Sequence, residues 1–182
     1  MTEYIIKFEK RLKSIFGEET DTLKSLLNET GAVVSGSIIV QSILGEEWKN
    51  SDIDIYIPST GEQSPHGNPT SKIDEWLLNK LGWKMTNYMA VCRYGDTMSR
   101  GQDITWIRNF NSNNLAIPCV QLIHTRLKRD ELTEYINTNF DFVICKNVYS
   151  VNRKSGLLSI SDVAAIVKKQ FSFEFAEIFS VL

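Results

Sequence analysis

Gly36 and Ser37, followed after a short apolar run by Ser51-Asp52-Ile53-Asp54-Ile55-Tyr56-Ile57, are the residues whose types and spacing bear chemistry. In a strand, side chains alternate between faces, so Ile53, Ile55 and Ile57 line a core while Asp52 and Asp54 project together from the opposite side. Two carboxylates that close repel each other, and aspartate is depleted in strands. A solvated amphipathic strand carries that penalty, which threonine or lysine would avoid. A divalent cation removes it: Mg²⁺ accepts carboxylate oxygens and fills its other octahedral positions with water and phosphate. Gly36-Ser37 fits the other half of such a site. If it turns the chain from strand into helix, its N–H groups face outward at the positive end of the helix dipole, where a phosphate is favoured. Taken alone, the dipeptide reads first as a tight turn with Ser37 as an ordinary N-cap, since such caps are common.

The elements that would position these residues alternate in type. Ile5, Phe8, Leu12, Ile15 and Phe16 fall at helical spacing, and a second helix carries Leu23, Leu26 and Leu27 between a Thr20-Asp21 capping signal and Gly31. Ala32-Val33-Val34 reads as a short buried strand, Ser37 to Gly45 as a buried helix, and the acid pair follows on the next strand. Residues 58–70 are rich in Pro, Gly, Ser and Asn and read as a loop beside the acids, either a lid or a long connection. Ser71 with Asp74 opens a further helix ending at Gly82. Strands are expected over 84–92, 103–109 and 115–124, with a hairpin turn at Asn111 to Asn114. A helix at 130–137, a strand at 140–145 and a helix at 161–169 complete the reading. The whole predicts one α/β (α+β) domain, a mixed sheet flanked by helices with the acid-bearing strand at its functional edge. Residues 1–30 would form N-terminal helices, 31–145 the core and 146–182 a C-terminal helical segment.

Composition sets bounds on this domain. At 182 residues and 42% hydrophobic content the chain suffices for one core, and a second full domain is not expected. The net charge of −2, with scattered basic residues, gives no sign of the electrostatic footprint of a non-specific nucleic-acid binder, although a local basic groove is compatible with it. Cys92, Cys119 and Cys145 are widely spaced and the histidines are His66 and His124, a set that makes no zinc finger and no disulfide framework. A reducing, cytoplasmic setting follows as the expectation. No run approaches the ~20 apolar residues of a membrane span. Trp76, Trp83, Trp106 and the terminal Phe171, Phe173, Phe175 and Phe179 read as packing residues, the last group also suiting a partner surface.

Val33-Val34-Ser35-Gly36-Ser37, the helix to Leu44-Gly45, Trp48, and Ser51-Asp52-Ile53-Asp54-Ile55 together resemble the signature of the DNA polymerase beta-like nucleotidyltransferase superfamily. The resemblance is close over these residues and extends loosely from residue 20 to 145. Val120 to Ile123, Phe140-Asp141-Phe142 and Cys145-Lys146 look like a poorly characterised branch met in large DNA viruses among other places. By this resemblance, Asp52 and Asp54 would hold two Mg²⁺ (or Mn²⁺) ions, and Gly36 and Ser37 would contact the phosphates of a nucleoside triphosphate. Ser51 would join that binding set. An acceptor hydroxyl would then attack the α-phosphate in line and displace pyrophosphate.

The superfamily completes its metal site with a third carboxylate on a later strand. The matching strand here, Ile117 to Ile123, presents Cys119 or Gln121, neither of which replaces a hard anionic ligand. Asp141 and Asp103 are the other candidates. Asp141 is favoured because an unpaired acid among apolar strand residues is expensive, but it also fits a strand-end cap or a pair with Lys146. The expected function is Mg²⁺-dependent transfer of a nucleoside monophosphate to an unknown acceptor: a protein, a small molecule or an RNA end. Processive polymerisation is less expected, since few residues follow 145 to form a grip. The alternative is a catalytically inactive nucleotide-binding or protein-interaction module of the same fold, supported by Cys119 and Gln121. A third reading is an unrelated α/β protein whose acidic strand is incidental.

Overall fold

In the computed structural model, the described residues are 2–59, 71–90, 103–140, 143–153 and 155–169. Two helices open the chain, α1 (Thr2–Phe16) and α2 (Thr20–Thr30), the second stopped by Gly31 in a left-handed conformation with φ 73°. Thr20 does not cap α2: the N-cap is Glu19, and the Thr20 hydroxyl donates back to the Gly17 carbonyl at 2.7 Å. β1 (Val33–Ser35), α3 (Ser37–Leu44) and β2 (Asp52–Ile57) follow in the order expected.

Ser71 and Asp74 form a complete capping box at the start of α4 (Lys72–Glu75), which runs on as a π-helical turn over Trp76–Lys80. Then come β3 (Lys84–Ala90), β4 (Ile104–Asn111), β5 (Cys119–Thr125) and α5 (Leu132–Asn139). β6 (Val148–Asn152), β7 (Ser155–Ser159) and the short α6 (Val163–Val167), capped by Asp162, complete the described chain.

Among the described residues these strands form one seven-stranded mixed sheet in the order β3-β4-β5-β2-β1-β6-β7. β2 is its central strand, parallel to β5 and antiparallel to β1, so the acids do not lie on an edge strand as expected. The physical reason is on its other face: Ile53, Ile55 and Ile57 are all buried and need strands on both sides to close the core around them. The strand expected over 140–145 is also corrected, because Val143–Cys145 is a 3₁₀ turn. Asn147, fully buried, holds that turn by donating to the Ile144 carbonyl, and it accepts from the Ser161 N–H at 3.1 Å. Residues 148–159, expected within a helical segment, instead form the hairpin β6–β7 that extends the sheet.

The sheet has two unlike faces. On one, α1, α2, α3, the α4 region and α6 bury a large core with Ile53, Ile55, Val120, Leu122, Phe110 and Tyr149. On the other, α5 covers a smaller cluster of Val33, Tyr56, Ile123 and Val148 with Leu132 and Ile136. Val33 and Tyr56 are register partners, as are Tyr56 and Ile123, so α5 lies over one end of the β1, β2 and β5 rows. The other end of those rows is where Asp52 and Asp54 stand. No helix among the described residues is long and apolar enough to cross a membrane.

Candidate functional site

Asp54 opposes Ser35 on β1 and Gln121 on β5, and Asp52 opposes Cys119. Since register partners share a face, Ser35, Asp54, Gln121, Asn109 and Asn87 make a polar row across five strands. Gln121 Nε2 donates to Asn109 Oδ1 at 3.1 Å, and the buried Ser35 hydroxyl donates to the Asn147 carbonyl at 2.6 Å. The positions where a third acid was sought are therefore occupied in register by Gln121 and Cys119.

The turn between β1 and α3 is built around Gly36, which is the N-cap of α3 with φ 86° and ψ −159°. That conformation belongs to glycine, and a Cβ at this position would push the Asp54 carboxylate aside. The strand-to-helix turn thus lies against Asp54. Ser37 is the first residue of α3 rather than its cap, and its hydroxyl accepts from Gln41 Nε2 at 3.3 Å. Ser51 immediately precedes β2, after Asn50, whose φ of 57° is a left-handed conformation that asparagine tolerates.

Burial, together with the neighbouring charge of Asp52, pushes the Asp54 carboxyl up to about 7. Burial also raises Asp52. Among the described residues no lysine, arginine or histidine forms an ion pair with either acid. The Cys119 thiol is raised by burial and then by Asp52, and the Cys145 thiol by burial and then by Asp54, which places both sulfurs in the field of the pair.

The remaining acids divide. Asp103 stands before Ile104, which opposes Thr125 at the far end of β5 from Cys119, about 20 Å away along the strand. It does not join the pair. Asp141 lies outside the described residues. Before it, the Phe140 ring packs against Tyr56, two residues from Asp54 on the same face, with centroids 5.8 Å apart; after it, Cys145 packs against the helix-covered core, its thiol within the field of Asp54. Among the described residues no group of three or more His, Cys, Asp or Glu side chains is arranged to hold a metal.

Sequence reasoning missed a groove of about 690 Å³ that opens from Asp52 and Cys119 between the α3–β2 loop and the β4–β5 connection. Arg11 reaches it from α1 and pairs with Glu47. Its one legible signal was Trp48, an aromatic in a polar loop, whose N–H is held by Gln41 Oε1 and whose indole donates to Glu46 Oε2, each at 2.9 Å.

A glycine strand-to-helix turn pressed against a paired-carboxylate strand in a mixed α+β sheet is the class of site this fold presents. The chain belongs to the Gabija anti-defense 2 family, whose sequence model matches residues 6–174. Among solved structures it is similar to an apo form of a CCA-adding enzyme, at 15% identity and a TM-score of 0.48, over 90% of this chain and 35% of that one. It thus spans about a third of that enzyme's length. No curated protein matches it.

Proposed function

We propose that the chain is a Mg²⁺-dependent nucleotidyltransferase that moves a nucleoside monophosphate from a triphosphate to an acceptor hydroxyl, and that this activity serves to defeat the Gabija defence after which the family is named. The observation that carries the reading is the close approach of Gly36 to Asp54, because it sets the N-terminus of α3 beside a carboxylate of the pair. The donor type fits a hard divalent cation: two carboxylates project together from one face of β2, and burial and the charge of Asp52 make the ionised Asp54 costly without a counter-charge. Asp52 and Asp54 would hold the ion, and we assign Asp141 as the third carboxylate, since Phe140, which precedes it, packs on this face against Tyr56. When bound, such an ion neutralises charge on the phosphates and lowers the pKa of an attacking hydroxyl. The backbone N–H groups at Gly36 and Ser37 bind the β and γ phosphates and hold the pyrophosphate leaving group in line, with Ser51 beside them.

Isothermal titration of a non-hydrolysable nucleoside triphosphate with Mg²⁺ into wild type and into Asp52→Asn/Asp54→Asn tests this. Metal-dependent binding present only in wild type is the expected result. Absence of binding by all four nucleotides sinks the proposal.

Cys119 and Gln121 at the register positions of a third acid favour a second reading, a nucleotide-binding module without catalysis. It predicts binding in the same titration and no release of pyrophosphate with any acceptor.

A further inference from the structure

The groove at Asp52 lies on a particular side of the acid pair. β2 sits between β1 and β5; the Gly36-Ser37 turn follows β1, whereas the groove floor is Asp52 with its register partner Cys119 on β5. In an in-line displacement the attacking and leaving oxygens occupy opposite sides of phosphorus. With the leaving pyrophosphate at the turn, the attacker enters from the groove.

The groove lining also states what kind of attacker it accepts. Its charged residues are Arg11 and Lys49 against Glu47 and Asp52, a balanced set, and Arg11 is already paired with Glu47. A polynucleotide engages rows of cations along its backbone, and the described residues of this lining form no such row. One wall is instead the apolar segment 115–118, where Leu115 is 97% exposed, and Trp48 is 36% exposed in the opposing loop. Large apolar side chains left in water on both rims of a neutral groove suit an uncharged, partly apolar chain.

We infer that this groove binds an extended peptide segment of a protein acceptor and presents its serine, threonine or tyrosine hydroxyl at Asp52, an inference that rests on the transferase reading above. In the step, the bond from the hydroxyl oxygen to the α-phosphorus forms as the bond to pyrophosphate breaks, and the hydroxyl proton leaves to solvent. The product is a phosphodiester between the side chain and the nucleoside.

The test offers the full chain four α-³²P-labelled nucleoside triphosphates with Mn²⁺ and two acceptors. One is a degenerate peptide library with a fixed central serine, threonine or tyrosine, and the other a single-stranded RNA oligonucleotide with free terminal hydroxyls. Label is expected on peptide and not on RNA. Trp48→Ala and Leu115→Asp are each expected to cut it by about tenfold or more, as loss of an interface anchor does. Nucleoside triphosphate binding by both variants should stay within about twofold of wild type. Because Leu115 is almost wholly exposed, its replacement leaves folding untouched. Label on RNA, label on neither acceptor, or peptide label indifferent to both substitutions overturns the inference. Nucleotide binding that is still lost in Asp52→Asn/Asp54→Asn would then leave the transferase reading standing.

Discussion

Gly36 answers to two demands at once, a backbone conformation closed to other residues and the near approach of Asp54 Oδ2. Gly36→Ala is therefore expected to lower stability by about 1–3 kcal/mol through backbone strain, and also to displace Asp54 and abolish metal-dependent nucleotide binding. Gly45→Ala is the control. Its φ of 70° brings a similar left-handed penalty, but nothing lies within 4 Å of an added Cβ, so thermal unfolding should shift while nucleotide binding does not. Asp54 has a pH signature of its own. Its carboxyl titrates near 3.8 when unfolded and near 7 when folded, so between those values the folded chain holds the extra proton. Without metal, stability should fall as pH rises through that window, by up to about 4 kcal/mol. Urea denaturation of the EDTA-treated protein at points from about pH 4 to pH 7 checks this, and Asp54→Asn should flatten the profile.

At the scale of elements, the helix-covered face carries a buried charge cluster that locks α4 to the sheet. Asp74, 1% exposed, accepts from Arg108 Nη1 at 2.7 Å, and His124 Nε2 lies 3.3 Å from its other oxygen, an electrostatic contact rather than an aligned hydrogen bond. Burial by itself would raise the Asp74 carboxyl; the charge and proximity of His124, with Ser71 and Arg108, outweigh it and hold the group at about 2. Its contribution is thus present above the ordinary 3.8 and lost as pH falls toward 2, a window separate from that of Asp54. Asp74→Ala should destabilise the fold by about 3–5 kcal/mol in urea titration, since a buried guanidinium loses its carboxylate. Nucleotide binding by the folded fraction should persist, because this cluster lies across the sheet from Asp54. Only the Ser71–Asp74 cap of this cluster was legible in the sequence, for capping is a local signal, whereas Arg108 and His124 join it through strand register. The same division runs through the fold. β1, α3 and β2 were readable because their apolar spacing and glycines act within a few residues of each other. The 3₁₀ turn at Val143–Cys145 was misread as strand, since what bends it is Asn147, a long-range tie among β1, the turn and Ser161. β6–β7 was missed because the hairpin gains its place through β6 pairing with β1, more than a hundred residues earlier. The acids of β2 were visible as a pattern; their contact with Gly36 and the groove beside them exist only once β1, β2 and β5 are assembled.

For the molecule as a whole, the two faces of the sheet set the logic. One is closed by helices; among the described residues the other is covered by α5 at the Tyr56 end, so the central strand β2 is anchored by its isoleucines while Asp52 and Asp54, each partly exposed, stand toward its opposite end. A ligand that bridges the Gly36 turn and β2 ties together β1, α3 and the strands on either side, and it binds the native state alone. Linkage then requires stabilisation of the entire cooperative unit, about 2.7 kcal/mol at a hundredfold excess over Kd. For a chain of this length that corresponds to a rise in Tm of about 5–10 °C. Differential scanning calorimetry should show that rise in wild type only when Mg²⁺ and a nucleoside triphosphate are present together. Asp52→Asn/Asp54→Asn should show none, and Trp48→Ala and Leu115→Asp should show the wild-type rise, because neither side chain is among those assigned to the metal or the phosphates. A rise of equal size in the double mutant would mean that the ligand binds elsewhere on the fold, and the acids would lose their assigned role.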